Sequence, residues 1–326
     1  MKFEKAAEQA CKALHIKEGD KVAIITDFSK EFFSKELAAK VTEKKAKVRY
    51  FVMEHYGIRP YKIPAFMIDA FRDADAGFVI FESKCKEERE IFRKPLYELP
   101  CITKRLRLAT MPSITEQILN ESMLSDFEEV EKFSNKIYDL LIKTKEVKVK
   151  TGRGTDLTAI VGKYKWVVSS GIIKPGTWGN LPSGEVYTTP ESIEGRVIVD
   201  GYVGGHIQEK CADYPLELEI KDSRIVSVNS KNKKLEQKVK EEIQADGNAS
   251  RIGEFALGTN RFIKHLIGHI LQDEKFPGIH FANGDPIGEN TGANWKSKTH
   301  TDYILLESSV YLDCKQVMDK GVYLIK

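Results

Sequence analysis

The sequence lacks most of the features that settle a protein's chemistry at a glance. Its five cysteines, Cys11, Cys85, Cys101, Cys211 and Cys314, are odd in number and include no C-x-x-C pair. That argues against both a disulfide framework and a thiolate metal cluster. No stretch approaches the roughly 20 apolar residues of a membrane helix. The start, Met1-Lys2-Phe3-Glu4-Lys5-Ala6-Ala7-Glu8, reads as amphipathic helix rather than secretory signal. A cytoplasmic protein with no membrane partner is expected. Charge of one sign is missing too: 51 basic residues against 48 acidic ones leave only +3, so no global field calls for nucleic acid. There is no G-x-S-x-G elbow and no cysteine with an evident histidine partner, which leaves nucleophilic hydrolysis unsupported.

What is present is an ordinary globular composition, 41% hydrophobic and 30% charged over 326 residues, enough for two domains and a sizeable core. In the first half, apolar runs alternate with helical patterns. Lys21 to Thr26 (KVAIIT), Ala46 to Met53, Gly77 to Phe81 and Leu106 to Thr110 read as strands. Glu4 to Leu14, Phe28 to Val41 and Ile63 to Phe71 read as helices. Such alternation implies parallel pairing in a three-layer α/β domain with a mostly parallel sheet, expected over residues 1–145. Asp27-Phe28-Ser29 follows the first strand where a dinucleotide site needs glycines, so NAD binding is not expected.

Leu124 to Ile142, acidic at its start and lysine-rich at its end, reads as a helix bridging two domains. After it the texture changes to hairpins: Val147 to Lys150 with Leu157 to Val161, and Leu216 to Ile220 with Arg224 to Val228. Gly152 and Gly154 lie in a turn with no helix after it, which favours a hairpin over a phosphate loop. Lys231 to Gln244 reads as a solvated helix. A mixed α+β, strand-rich domain is therefore expected over 146–326, and it carries the candidate chemistry.

Near the carboxyl terminus, the apolar segments Gly278 to Ala282 and Tyr303 to Leu306 flank a Gly/Asn-rich loop that can bring them side by side. His280 then falls near His300 and Asp302, and on an extended segment His300 and Asp302 face the same way. Two imidazoles and a carboxylate suit zinc, manganese or non-haem iron. Upstream, Glu185 is bracketed by turn residues and an aromatic, and Glu254 sits in a short apolar run. A glutamate there is costly to bury unless it is paired or ligates a cation. His265 and His269, four apart in a segment read as helix over 261–273, are rivals, but Leu266 stands where a zincin needs glutamate. They are taken as helix-surface residues or residues behind the ligands.

The motifs LPSGEVYTTP, IGEFALGTN, GIHFANGD and THTD, in this order, resemble the aminopeptidase T family of metallopeptidases over nearly the whole chain. The resemblance implies an α/β amino-terminal domain, a distinctive carboxyl-terminal domain, a homodimer, and two divalent ions (Zn, Co or Mn) per chain. Residue by residue, it implies Glu185, Glu254, His280, His300 and Asp302 as ligands, with Glu254 and Glu185 as candidates for proton transfer. The implied reaction is hydrolysis of the first peptide bond of a peptide with a free amino terminus. The family also has an active-site tyrosine shortly after the histidine matched by His280. Here 281–287 contain none, and Tyr187 and Tyr303 are the candidates to replace it. The same fold is similar to that of iron-dependent dihydroxypyridine dioxygenases, for which Fe on His280, His300 and Asp302 alone suffices. That reaction is the alternative, and a catalytically inactive relative is the third.

Overall fold

The computed structural model describes residues 2–57, 62–82 and 89–325. It divides into two compact units, Met1–Glu129 with Ser170–Ser183, and Val130–Ser169 with Gly184–Lys326. In the first, a fully parallel sheet runs in the order Lys47–Val52, Lys21–Thr26, Ala76–Ile80, Arg107–Thr110, Trp178–Asn180. Its central strands are buried on both faces, as continuous apolar runs such as Val22 to Ile25 require. Helices Glu4–Ala13, Glu31–Glu43, Ala65–Asp73 and Lys94–Thr103 accompany the strands, and the α/β expectation holds. Trp178–Asn180, just ahead of the Glu185 motif, completes this sheet by pairing with Arg107–Thr110.

The second unit is strand-rich, as expected, and contains two antiparallel sheets. An eight-stranded sheet carries the hairpins read from sequence, including Glu146–Lys150 with Asp156–Ile160 and Leu216–Lys221 with Arg224–Ser230. The seven-stranded sheet is centred on Glu185–Thr188, Ile252–Gly258, Gly278–Gly284 and His300–Leu305, in the order 300–305, 278–284, 252–258, 185–188. Both sheets contribute to one core, in which Val147, Leu157 and Leu218 join Val186, Phe255, Leu257, Ile279, Phe281, Tyr303 and Leu305.

The helix expected over 261–273 is not formed; only Ile270–Asp273 is helical. Gly268 takes a positive φ of 82°. The buried Asp273 carboxylate accepts the backbone N–H groups of Ile267, Gly268 and His269 at 2.9, 2.7 and 3.1 Å. A side chain that satisfies three backbone donors from its own loop competes directly with helical hydrogen bonds. Cys11, Cys101, Cys211 and Cys314 are free thiols, and Cys85 lies outside the described residues. Among the described residues no helix is long and apolar enough to cross a membrane.

Candidate metal centre

Strand alternation builds the site. In the seven-stranded sheet, Phe255, Leu257, Ile279, Phe281, Tyr303 and Leu305 point into the core, so their neighbours in sequence occupy the opposite face. The register places Ala256 between Tyr187 and His280, Ala282 between Glu254 and Asp302, and Gly284 beside His300. Glu185 stands opposite Gly258. Small residues thus alternate with ligand-type residues across that face, which leaves room for long polar side chains to converge.

All five residues singled out from the sequence converge there. Glu185, Glu254, His280 and Asp302 are buried and His300 is half-buried. Their donor atoms form the groups Glu185/Glu254/His280 and Glu254/His300/Asp302, with all atoms in a group within 4.8 Å of one another. Glu254 belongs to both. Its Oε1 is 3.7 Å from His280 Nε2 and its Oε2 is 3.3 Å from His300 Nε2. Asp302 Oδ1 lies 3.6 Å from His300 Nε2, and Glu185 Oε2 lies 3.4 Å from His280 Nε2. His300 Nδ1 is 2.9 Å from the backbone carbonyl of Asp285. Donation to that carbonyl leaves Nε2 as the nitrogen facing the carboxylates.

The electrostatics follow from that crowding. Burial opposes charge on His280, but the facing Glu185 and Glu254 carboxylates push its pKa up to about 10. Burial likewise opposes charge on His300, and Asp302 and Glu254 override it to raise His300 well above the usual histidine value. Burial works against ionisation of Glu254, yet the two imidazoles hold its carboxyl well below the carboxylate range. Protons on the imidazoles offset the buried carboxylates in the ion-free protein. A divalent cation held by these residues would do the same in their place.

The donor set fits such a cation on a direct observation: Glu185 Oε2 and His280 Nε2 are both buried without a hydrogen-bond partner. Unsatisfied buried polar atoms are rare, and hard carboxylate oxygens with imidazole nitrogens are what zinc, manganese or cobalt takes.

Of the two candidate tyrosines, only Tyr187 stands on this face. It lies two residues from Glu185, its hydroxyl accepts from Asn290 Nδ2 at 2.7 Å, and burial with the nearby Glu254 and Glu185 charges raises its pKa. Tyr303 points into the core, stacked on Phe281 and bonded to Asn283 Oδ1 at 2.7 Å. His269 caps the short 270–273 helix through Nδ1 and lies outside both ligand groups, as does His265.

Two site residues escaped the sequence reading. Glu274 forms a third ligand-type group with His280 and Asp302, and Lys275, 1% exposed, contacts both Glu185 and Glu274. Their only signal is proximity to His280, because Asp273-Glu274-Lys275 looks like any solvated charge run.

A buried carboxylate and imidazole cluster on a sheet face is the kind of donor set that can hold divalent cations. Residues 112–323 match the thermophilic metalloprotease (M29) family, and the chain belongs to it. It is therefore a metallopeptidase, a hydrolase, and the resemblance carried by the four motifs is borne out. Among solved structures, it is similar to 2,5-dihydroxypyridine dioxygenase from Pseudomonas putida KT2440, with 19% identity and a TM-score of 0.76 over 99% of this chain and 97% of that one. It is also similar to wild-type AmpT from Thermus thermophilus, with 19% identity and a TM-score of 0.71 over 99% of each chain. At that identity the likenesses show the fold alone. Among curated proteins none matches.

Proposed function

We propose that this chain is an aminopeptidase that removes the first residue of peptides at a site holding two divalent ions. Glu185, Glu254, His280, His300 and Asp302 are the ligands. The observation that carries the proposal is Glu254, whose two oxygens face two different imidazoles. A carboxylate so placed suits two adjacent cation positions, one towards His280 and Glu185, the other towards His300 and Asp302. The mononuclear iron reading needs His280, His300 and Asp302 around one point; Asp302 shares a donor group with each imidazole, but among the described residues no group contains both.

Divalent ions held there supply Lewis acidity for the scissile carbonyl and make water acidic enough to act as a nucleophile near neutral pH. The chain's residues do the rest. Asp285 carbonyl fixes the His300 tautomer, and the core face of the sheet keeps the ligand strands in register. Glu254 and Glu185 are the candidates for proton transfer, the role falling to whichever is less engaged with the ions. Family membership supports a metal-dependent peptidase; the free amino terminus of the substrate, a cytoplasmic location and a homodimer complete the proposal.

Elemental analysis of protein purified without chelator, paired with assays of aminoacyl anilide hydrolysis and of oxygen uptake with a dihydroxypyridine, tests this. About two zinc, cobalt or manganese ions per chain with amino acid release is the expected result. One iron per chain with oxygen uptake would replace this reading with the dioxygenase.

A further inference from the structure

Lys275 is the buried cation beside the site. Its Nζ lies 2.5 Å from Glu185 Oε1 and 2.5 Å from Glu274 Oε1. Glu185 therefore has one oxygen occupied by the ammonium, while the other, Oε2, is buried, without a hydrogen bond and 3.4 Å from His280 Nε2.

The backbone explains how Lys275 reaches this place. Gly258 stands opposite Glu185 in the strand register, and a Cβ built on Gly258 would meet the Phe276 carbonyl oxygen at 1.9 Å and the Lys275 carbonyl carbon at 3.0 Å. Only a residue without a side chain lets the 275–276 backbone lie across the strand there. Lys275 is then anchored at both backbone groups, its N–H donating to Gln272 O at 3.0 Å and its carbonyl accepting from Asn260 N–H at 3.1 Å. The short helix Ile270–Asp273, with the loop that Asp273 ties down, delivers the lysine from its far end.

We infer that Lys275 is a positioning residue: it holds Glu185 by Oε1 so that Oε2 alone faces the ions, and it keeps Glu274 engaged behind that contact. This rests on the two-ion reading above. A lysine suits the task because an ammonium is a compact charge that one oxygen of each of two carboxylates can share. A carboxylate fixed at one oxygen offers the other in a single direction, which is how residues behind the ligands tune metal sites.

A charge-balanced variant tests the inference, with the wild type, Lys275→Met and Glu274→Gln measured alongside, the last because Glu274 itself stands in a ligand-type group. Lys275→Met/Glu274→Gln removes the ammonium and the carboxylate it contacts together, so no half-buried carboxylate is left at 274 without its cation. Co2+ affinity by titration calorimetry, the visible absorption spectrum of bound Co2+, and the melting temperature of the ion-free protein are the readouts. The double variant is expected to bind Co2+ about 10–100-fold more weakly, with an altered spectrum, while its ion-free form melts close to the wild type. If Lys275 were only a bystander charge, Lys275→Met would bind Co2+ more tightly and the double variant would match the wild type in affinity and spectrum. That result would overturn the inference. A wild type that takes up no Co2+ at all would overturn the two-ion reading itself. Should Lys275→Met fail to fold, the double variant is read against Glu274→Gln, and equal Co2+ affinity and spectrum in those two would overturn the inference.

Discussion

Glu254→Gln is the sharpest single perturbation of the site. The amide keeps the shape of the side chain and removes the charge shared between the two imidazoles, at 3.7 and 3.3 Å. Removing one partner of a buried ion pair costs about 3–5 kcal/mol when the other charge is trapped. Here it is not trapped, because the carboxylates themselves hold the proton on His280. The imidazoles can lose protons instead, so the stability cost falls to about 1–2 kcal/mol and the melting temperature drops by only a few degrees. Activity behaves differently. Lewis-acid stabilisation by bound ions amounts to several kcal/mol, and losing about 4 kcal/mol corresponds to about 10³-fold in rate. The expected outcome is a folded protein with near wild-type circular dichroism, at least one ion lost by elemental analysis, and aminoacyl anilide hydrolysis reduced about 10³-fold. Wild-type-like turnover with a full complement of ions would refute the reasoning.

Three further outcomes follow from the geometry. Gly258→Ala drives a Cβ to 1.9 Å from the Phe276 carbonyl oxygen, so it is expected to lower stability by about 1–3 kcal/mol and weaken Co2+ binding as the Lys275 segment shifts; unchanged melting and binding would contradict the packing argument. Asp273→Ala strips the acceptor from three backbone N–H groups and is expected to cost about 3 kcal/mol, with faster hydrogen exchange confined first to 267–269; exchange there at the wild-type rate would count against the loop's dependence on Asp273. Glu236 is held by Lys233, Lys240 and the Ser230 N–H at a pKa of about 2. As this folded-state value is depressed, its contribution to stability is present above the usual value of 4.5 and is lost as pH falls through about 2. A carboxyl NMR titration of Glu236 checks this, and a midpoint near 4.5 would disprove it.

Patterns that repeat along the chain were legible without a structure. Buried runs such as KVAIIT fix strands because a parallel sheet covers both faces, and the GIHFANGD and THTD motifs read as strands because ligand residues alternate there with Phe281 and Tyr303. The spacing of His300 and Asp302, with His280 brought alongside, and the apolar setting of Glu254 pointed to a cation, and the resemblance carried by the four motifs implied the full set with Glu185. What failed was local: 261–273 has helical spacing, yet Asp273 binds its own loop and Gly268 turns it away. No periodicity records such a competition.

The sequence by itself determined the buried parallel strands, the main hairpins and the apolar faces of the strands that carry His280 and Asp302, because those depend on residue type and a short period. Only the tertiary structure decided that Glu254 lies between the two histidines, that Tyr187 rather than Tyr303 stands on the site face, and that Lys275 reaches Glu185 across 90 positions of sequence over the bare backbone of Gly258. Register between distant strands and the approach of one backbone to another are set by packing of the whole core. No stretch of neighbouring residues contains that information.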